Sequence, residues 1–250
     1  ELGSILIKDY KALGGLYKLN TRVLEVNRDK IITYVNPEEG IVEIEAKAII
    51  LAAGCRERYT GNILIPIHKF TGIFTVGAAH RLINYSGYIP GKGVIISGDD
   101  IWTLIVARRL VIEGATIKGI VTQRKSFNRS ELDIVNGFNI PIIYESEISD
   151  IEGGERVNLC RIKNLYSYEI TTIPCDSLVL SVGYFPDIDF IKKMSIMMDG
   201  DYIKSENNHT SVEGIFICGT MKDGIDSLLN SGESGFKLGN QIFEYLKESY

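Results

Sequence analysis

Cysteine and histidine are the residue types in this 250-residue chain best suited to making and breaking bonds. Cys55, Cys160, Cys175 and Cys218 form no C-x-x-C pair and no metal-ligand spacing. Each reads as a single core thiol on a strand, and no metal site is expected. His68, His80 and His209 are scattered, with no acidic or nucleophilic neighbour to activate them. None of the three is assigned a catalytic role, and no other catalytic residue is legible. What remains is the chemistry of binding. Two apolar runs end in small residues: 48–54 in Ala52-Ala53-Gly54, and 214–219 in Gly219. A strand end without a Cβ lets the backbone approach a cofactor closely. Asn230-Ser231-Gly232 opens the last helical stretch. Its unpaired N–H groups and partial positive charge suit an anion, and Ser231 or Asn230 serves equally as an ordinary N-cap.

These residues must be held by a folded core, and the composition supplies one. The chain is 45% hydrophobic and 24% charged, which excludes disorder. A net charge of -5 without a long basic run argues against nucleic acid as a partner. No apolar run reaches the roughly 18 residues that a membrane span needs. Unpaired cysteines point to a reducing, cytoplasmic compartment. The start Glu1-Leu2-Gly3 has no initiator Met and no signal-peptide pattern, so the chain reads as cut into mid-domain.

Periodicity predicts an α/β fold. Residues 2–13 have helical spacing, and strands are expected at 17–26, 30–35 and 41–45. The run 48–54 is continuously apolar and reads as a parallel strand buried on both faces. A helix over 78–85 and the linker Pro90-Gly91-Lys92-Gly93 follow. Strand 94–97, helix 101–113, strand 116–122, helix 129–137 and strand 140–143 form a βαβαβ unit, hence a parallel, right-handed mononucleotide-binding arrangement. Residues 145–150, 157–163 and 168–172 read as an antiparallel meander, 176–183 as a buried strand, and 231–247 as a closing helix.

Several segments resemble one family. Leu51-Ala52-Ala53-Gly54-Cys55-Arg56-Glu57-Arg58 resembles the A-T-G strand end and G-x-x-E-R signature of FAD/NAD(P)-linked oxidoreductases of the pyridine nucleotide–disulfide reductase superfamily. Gly72-Ile73-Phe74-Thr75-Val76-Gly77-Ala78-Ala79-His80, and Ala107-Arg108-Arg109-Leu110 before Glu113-Gly114-Ala115, are similar to one branch of it. That branch holds the flavoproteins accompanying anaerobic glycerol-3-phosphate dehydrogenases. It also holds the large subunits of sarcosine oxidase, hydrogen cyanide synthase and dye-linked proline dehydrogenase. The stretch from Thr210 to Gly219 resembles the T-x6-G-[DN] box that lays a strand against a flavin.

The resemblance implies a flavoprotein with two dinucleotide-binding domains. Residues 1–88 would be the later part of a Rossmann-like FAD domain, 89–185 an inserted NAD(P)-binding-like domain, and 186–250 the C-terminal part of the FAD domain. Strands 48–53 and 214–218 would then be neighbours in one sheet. The first FAD-binding βαβ would be absent, so the chain alone is expected not to retain FAD. The implied FAD contacts are Ala52, Ala53, Gly54, Gly219, Thr220, Ser231 and the backbone of Val23. Thr220 is equally a strand-end turn residue and Val23 equally a core residue.

Aligned on Ala107-Arg108-Arg109, the inserted domain places Gly98, Asp100 and Thr103 at the glycine positions of G-x-G-x-x-G, and only Gly98 is kept. A carboxylate ~4 Å from one phosphate charge costs roughly 4 kcal/mol at an effective dielectric of ~20. A micromolar ligand is held by only about 8 kcal/mol. The second strand ends in Thr122-Gln123, not in an acidic residue for a ribose. Arg124 and Lys125 follow, as a solvated turn or a site for a 2′-phosphate. NAD(P) is therefore doubtful. No redox disulfide is visible in the inserted domain, where thioredoxin-reductase-like proteins carry theirs. The implied activity is an FAD-dependent oxidoreductase or electron-transfer subunit with an amine, imino-acid or glycerol-phosphate dehydrogenase subunit as partner. The alternatives are a non-catalytic scaffold of the same fold and a complete NAD(P)H-dependent flavin reductase.

Overall fold

A computed structural model describes residues 2–58, 63–225 and 231–249. In chain order the elements are α1 (Leu2–Ala12), β1 (Arg22–Val26), β2 (Ile31–Asn36), β3 (Gly40–Glu45), β4 (Ile49–Leu51), β5 (Cys55–Glu57), β6 (Ile73–Thr75), α2 (Val76–Ser86), β7 (Gly93–Ser97) and α3 (Ile101–Ile112). Then come β8 (Thr116–Val121), α4 (Arg129–Val135), β9 (Ile142–Ile143), β10 (Ser146–Gly153), β11 (Val157–Asn164), β12 (Ile170–Pro174), β13 (Ser177–Leu180) and β14 (Tyr184–Pro186). The chain closes with the short strands β15 (Met198–Asp199), β16 (Tyr202–Ile203), β17 (Ser205–Glu206) and β18 (His209–Thr210), then β19 (Ile215–Ile217), α5 (Thr220–Asp223) and α6 (Ser231–Ser249).

The chain divides into two compact units. One comprises the residues up to Ala52, Asp187–Cys218 and those from Gly232 onward; the other comprises Ala53–Pro186 and Gly219–Ser231. Residues 53–88, grouped above with the FAD portion, thus lie in the second unit. The physical reason is strand pairing: β6 hydrogen-bonds in parallel to β13, so β6 joins the five-stranded sheet of the second unit.

In the second unit five parallel strands run in the order β6-β13-β7-β8-β9. Side chains of β7 alternate between two cores. Val94 and Ile96 join Leu104, Ala107 and Leu110 of α3 on the helical side. Ile95 joins Leu178, Leu180 and Cys160 beneath the antiparallel sheet β10-β11-β12. Covered on both faces, such strands read as unbroken apolar runs, which is why the βαβαβ pattern was visible.

In the first unit β1-β2-β3 form a meander whose second turn is fixed by Asn36: its side chain accepts from Glu39 N at 2.7 Å. A separate sheet runs β17-β18-β19-β4. Its strands β4 and β19 are parallel neighbours, with Ile49 opposite Ile215 and Leu51 opposite Ile217, as the resemblance implies. The expectation that residues 48–54 are buried on both faces fails at Ile50, which is 49% exposed. Ile50 and Phe216 are register partners and so face the same side of the sheet. The ring of Tyr245 on α6 packs against Phe216 at 5.4 Å, and Phe216 is fully buried while Ile50 is not. Among the described residues no helix is long and apolar enough to cross a membrane.

Leu104 is fully buried in α3, whereas Ile112 at the end of the same helix is 55% exposed. Leu104→Ala should cost about 2–5 kcal/mol, and Ile112→Ala no more than ~0.5 kcal/mol. Urea denaturation midpoints of the two variants measure the difference.

Candidate functional site

The residues assigned to FAD fall at strand ends. In the first unit Val23 sits on β1 beside a register shift against β2, and it is 38% exposed rather than core. Ala52 is exposed just beyond β4, where Leu51 O accepts from Cys218 N at 3.2 Å. In the second unit Ala53 is exposed and Gly54 has φ 80°. Among the described residues, a Cβ added at Gly54 would meet only Thr220 Oγ1, at 3.8 Å, and one added at Gly219 (φ 67°) would meet none within 4 Å. Both glycines thus have positive φ, a backbone region that glycine adopts freely, with no described neighbour packed against them. Thr220 is no strand-end residue: it opens the single helical turn α5, and its carbonyl accepts from Cys55 Sγ at 2.8 Å. Burial pushes the Cys55 thiol up, and this hydrogen bond opposes the shift. Ser231 is the first residue of α6, while its side chain and Asn230 lie outside the described residues.

The G-x-x-E-R glutamate has a role that the sequence reading did not assign. β5 pairs antiparallel with β14 and thereby fixes Glu57. Its carboxylate accepts from Thr75 Oγ1 at 2.8 Å and from Gly77 N at 2.6 Å, while Thr75 Oγ1 accepts from Ala78 N. Glu57 thus holds the N-terminus of α2. Gly77 makes this possible, because a Cβ there would lie 2.5 Å from Glu57 Oε2.

At the second nucleotide turn, Gly98 is required by close approach: a Cβ would lie 2.6 Å from Ser181 Cβ and 2.7 Å from Thr103 Cγ2. Asp100 is the N-cap of α3. Its side chain accepts from Trp102 N at 2.8 Å and also from Ser181 Oγ. Thr103 is fully buried and donates through Oγ1 to Asp100 O at 2.6 Å. Asp99 reaches the end of β8, accepting from Thr122 Oγ1 at 2.6 Å and Gln123 N at 2.8 Å. Arg124 is engaged within the chain. It donates to both oxygens of Glu131, at 2.8 and 3.0 Å, and to Asp99 O. Glu131 in turn closes a capping box with Asn128 at the start of α4.

Two cysteines correct the reading of single thiols. Cys160 and Cys175 are 15 residues apart in sequence, yet their sulfurs lie 3.5 Å apart in the buried core of the second unit. The hairpin between β11 and β12 brings them together, and sequence spacing alone does not reveal it. His80 packs edge-on against Trp102 and His209 against Phe216. Among the described residues no group of three metal-ligating side chains occurs.

Residues 106–235 match the family described as pyridine nucleotide-disulphide oxidoreductase, and the chain belongs to that family. The thioredoxin reductase of Rickettsia conorii is 25% identical over 191 residues, covering 73% of this chain and 60% of the relative. That of Rickettsia prowazekii is 23% identical over 215 residues, covering 82% and 67%. The chain therefore spans about two thirds or less of these relatives' length. The crystal structure of T. acidophilum thioredoxin reductase superposes with a TM-score of 0.71 at 19% identity, over 95% of this chain and 79% of that one. At that identity the likeness shows the fold: α/β, of the FAD/NAD(P) oxidoreductase type.

Burial pushes the Glu131 carboxyl up, but hydrogen bonds from Arg124 and from the Asn128 backbone outweigh it and hold the group below its ordinary value. A carboxylate whose folded pKa is depressed stabilises the fold above its unfolded pKa of about 4.3, and that contribution is lost as pH falls through the lower folded value. Glu131→Gln should therefore be less stable than the parent at pH 7, and the gap should narrow below about pH 4. Thermal unfolding across that range measures it.

Proposed function

We propose that this chain is part of an FAD-dependent oxidoreductase whose second dinucleotide fold does not take NAD(P)H from solution. The observation carrying the first half is the pair of positive-φ glycines, Gly54 and Gly219, at which an added Cβ would meet little among the described residues. These backbones, with exposed Ala53, suit close approach of a flat ring system. Thr220, in the same unit, offers a hydroxyl for a ribityl oxygen. FAD, when bound, supplies two-electron chemistry. The start of α6 at Ser231 would contribute unpaired N–H groups and a positive helix end, which favour an anionic reduced ring.

The observation carrying the second half is Asp100. Its carboxylate already takes the α3 N-terminal N–H that a pyrophosphate would use. Electrons would then come from an amine, imino-acid or glycerol-phosphate dehydrogenase subunit, as the likeness to that branch suggests. A reducing, cytoplasmic setting belongs to the same reading. A second reading, a complete NAD(P)H-dependent flavin reductase, is favoured by relatives that are thioredoxin reductases, members of a family that uses FAD and NADPH.

Calorimetric titration separates the two readings. NADH and NADPH should each bind more weakly than about 100 μM, less than ~5.5 kcal/mol, and Asp100→Gly with Thr103→Gly should recover part of the affinity. Low-micromolar binding to the unaltered protein would establish the second reading instead. The flavin half has its own test. The gene product that includes this chain should purify with bound flavin, and Gly219→Val should lower its occupancy at least tenfold. A flavin-free product that resists reconstitution would leave only a non-catalytic scaffold.

A further inference from the structure

We propose that Cys160 and Cys175 form a buried dithiol that a hydroperoxide converts to an intramolecular disulfide. This would staple the β10-β11-β12 sheet to the start of β13.

The placement is specific. Cys160 lies in the middle of β11, hydrogen-bonded on both sides, opposite Ile151 of β10 and Ile173 of β12. Cys175 lies just past β12, and its N–H donates to Asn158 O at 3.1 Å. Its neighbour Asp176 is anchored separately, its carboxylate accepting from Lys92 N at 2.9 Å and Gly93 N at 2.8 Å. Both cysteine backbones are thus held by their own hydrogen bonds, and the sulfurs face each other across 3.5 Å. A disulfide needs about 2.05 Å, so roughly 1.5 Å of sulfur movement closes the bond.

The two thiols are unequal. Cys160 is fully buried, whereas Cys175 retains 7% exposure. The contact between the two sulfurs pushes Cys160 up, with burial adding to it, and moves Cys175 down against its own burial. Cys175, the sulfur with residual exposure, is the one that a peroxide reaches first and is therefore the attacking sulfur. Its thiolate takes one oxygen of the hydroperoxide, the O–O bond breaks, and hydroxide or alkoxide leaves and is protonated. The sulfenic acid so formed is attacked by the Cys160 sulfur, the S–O bond breaks, and water departs with the Cys160 proton. Two thiols are oxidised and one hydroperoxide is reduced by two electrons. A hydroperoxide suits this site because the slight exposure of Cys175 gives little room for a bulky disulfide reagent.

Cys55 and Cys218 serve as internal controls, since both are half-buried and neither is in a disulfide. The bond would close a loop across β12, and a loop of about 15 residues gives a stabilisation that corresponds to a rise of roughly 5–10 °C in Tm for a chain of this size.

The test treats the full chain with hydrogen peroxide, quenches in acid, alkylates and maps peptides. The expected result is loss of two hydrogens from the intact mass, a cross-linked peptide joining Cys160 to Cys175, and a raised Tm that dithiothreitol reverses. In Cys160→Ser, peroxide should leave a dimedone-reactive sulfenic acid on Cys175 and no rise in Tm. Recovery of both Cys160 and Cys175 as alkylated thiols while Cys55 or Cys218 is oxidised would overturn the proposal, as would a cross-link through either of those residues.

Discussion

Among the described residues, a carboxylate of this chain sits at the start of α2, α3 and α4 in the second unit. Glu57 accepts from the first turn of α2, Asp100 caps α3, and Glu131 accepts from the N–H of Asn128, the N-cap of α4 whose side chain in turn accepts from Glu131 N. A helix start carries unpaired N–H groups and a partial positive charge, and in α/β folds the same places receive ligand phosphates. Here much of that demand is met internally. Each cap contributes on the order of 1 kcal/mol, and each also fixes where a strand end meets a helix. Glu57 ties β5 to α2, Asp100 ties the turn after β7 to Ser181 beyond β13, and Glu131 ties α4 to Arg124 after β8. At these strand ends the carboxylates of Glu57, Asp99, Asp100 and Glu131 are all engaged by groups of the chain itself.

The strand ends at Gly54 and Gly219 have a different character. Both glycines have positive φ, among the described residues little stands within 4 Å of a Cβ added at either, and Ala53 is exposed. Glycine adopts such φ without strain, and the proposed flavin-binding role uses the open approach to these backbones.

Much of this was legible in the sequence where the cause is local. The run Val94-Ile95-Ile96 announces a strand covered on both faces, and Asn128-Arg129-Ser130-Glu131 has the spacing of a capping box. The departure from G-x-G-x-x-G at Asp100 and Thr103 marked that turn in the sequence, and in the fold Asp100 is the N-cap of α3 and Thr103 donates to the Asp100 carbonyl. What stayed hidden depends on partners distant in sequence. Glu57 reaches a helix start about 20 residues away, Asp99 meets Thr122 across α3, and Cys160 meets Cys175 across a hairpin. No periodicity encodes such pairs. Ile50 failed for a related reason: an apolar run specifies a strand, but only the neighbouring elements decide whether both of its faces are covered.

The proposed loss of NAD(P)H use depends on the Asp100 carboxylate occupying the start of α3. The most direct measurement is anaerobic rapid mixing of the flavin-loaded gene product that includes this chain with NADH or NADPH at tens of micromolar, following the visible absorbance of the flavin. The expected result is no bleaching by either nucleotide, and bleaching once dithionite is added. Prompt, complete bleaching by NADH or NADPH would contradict the proposal.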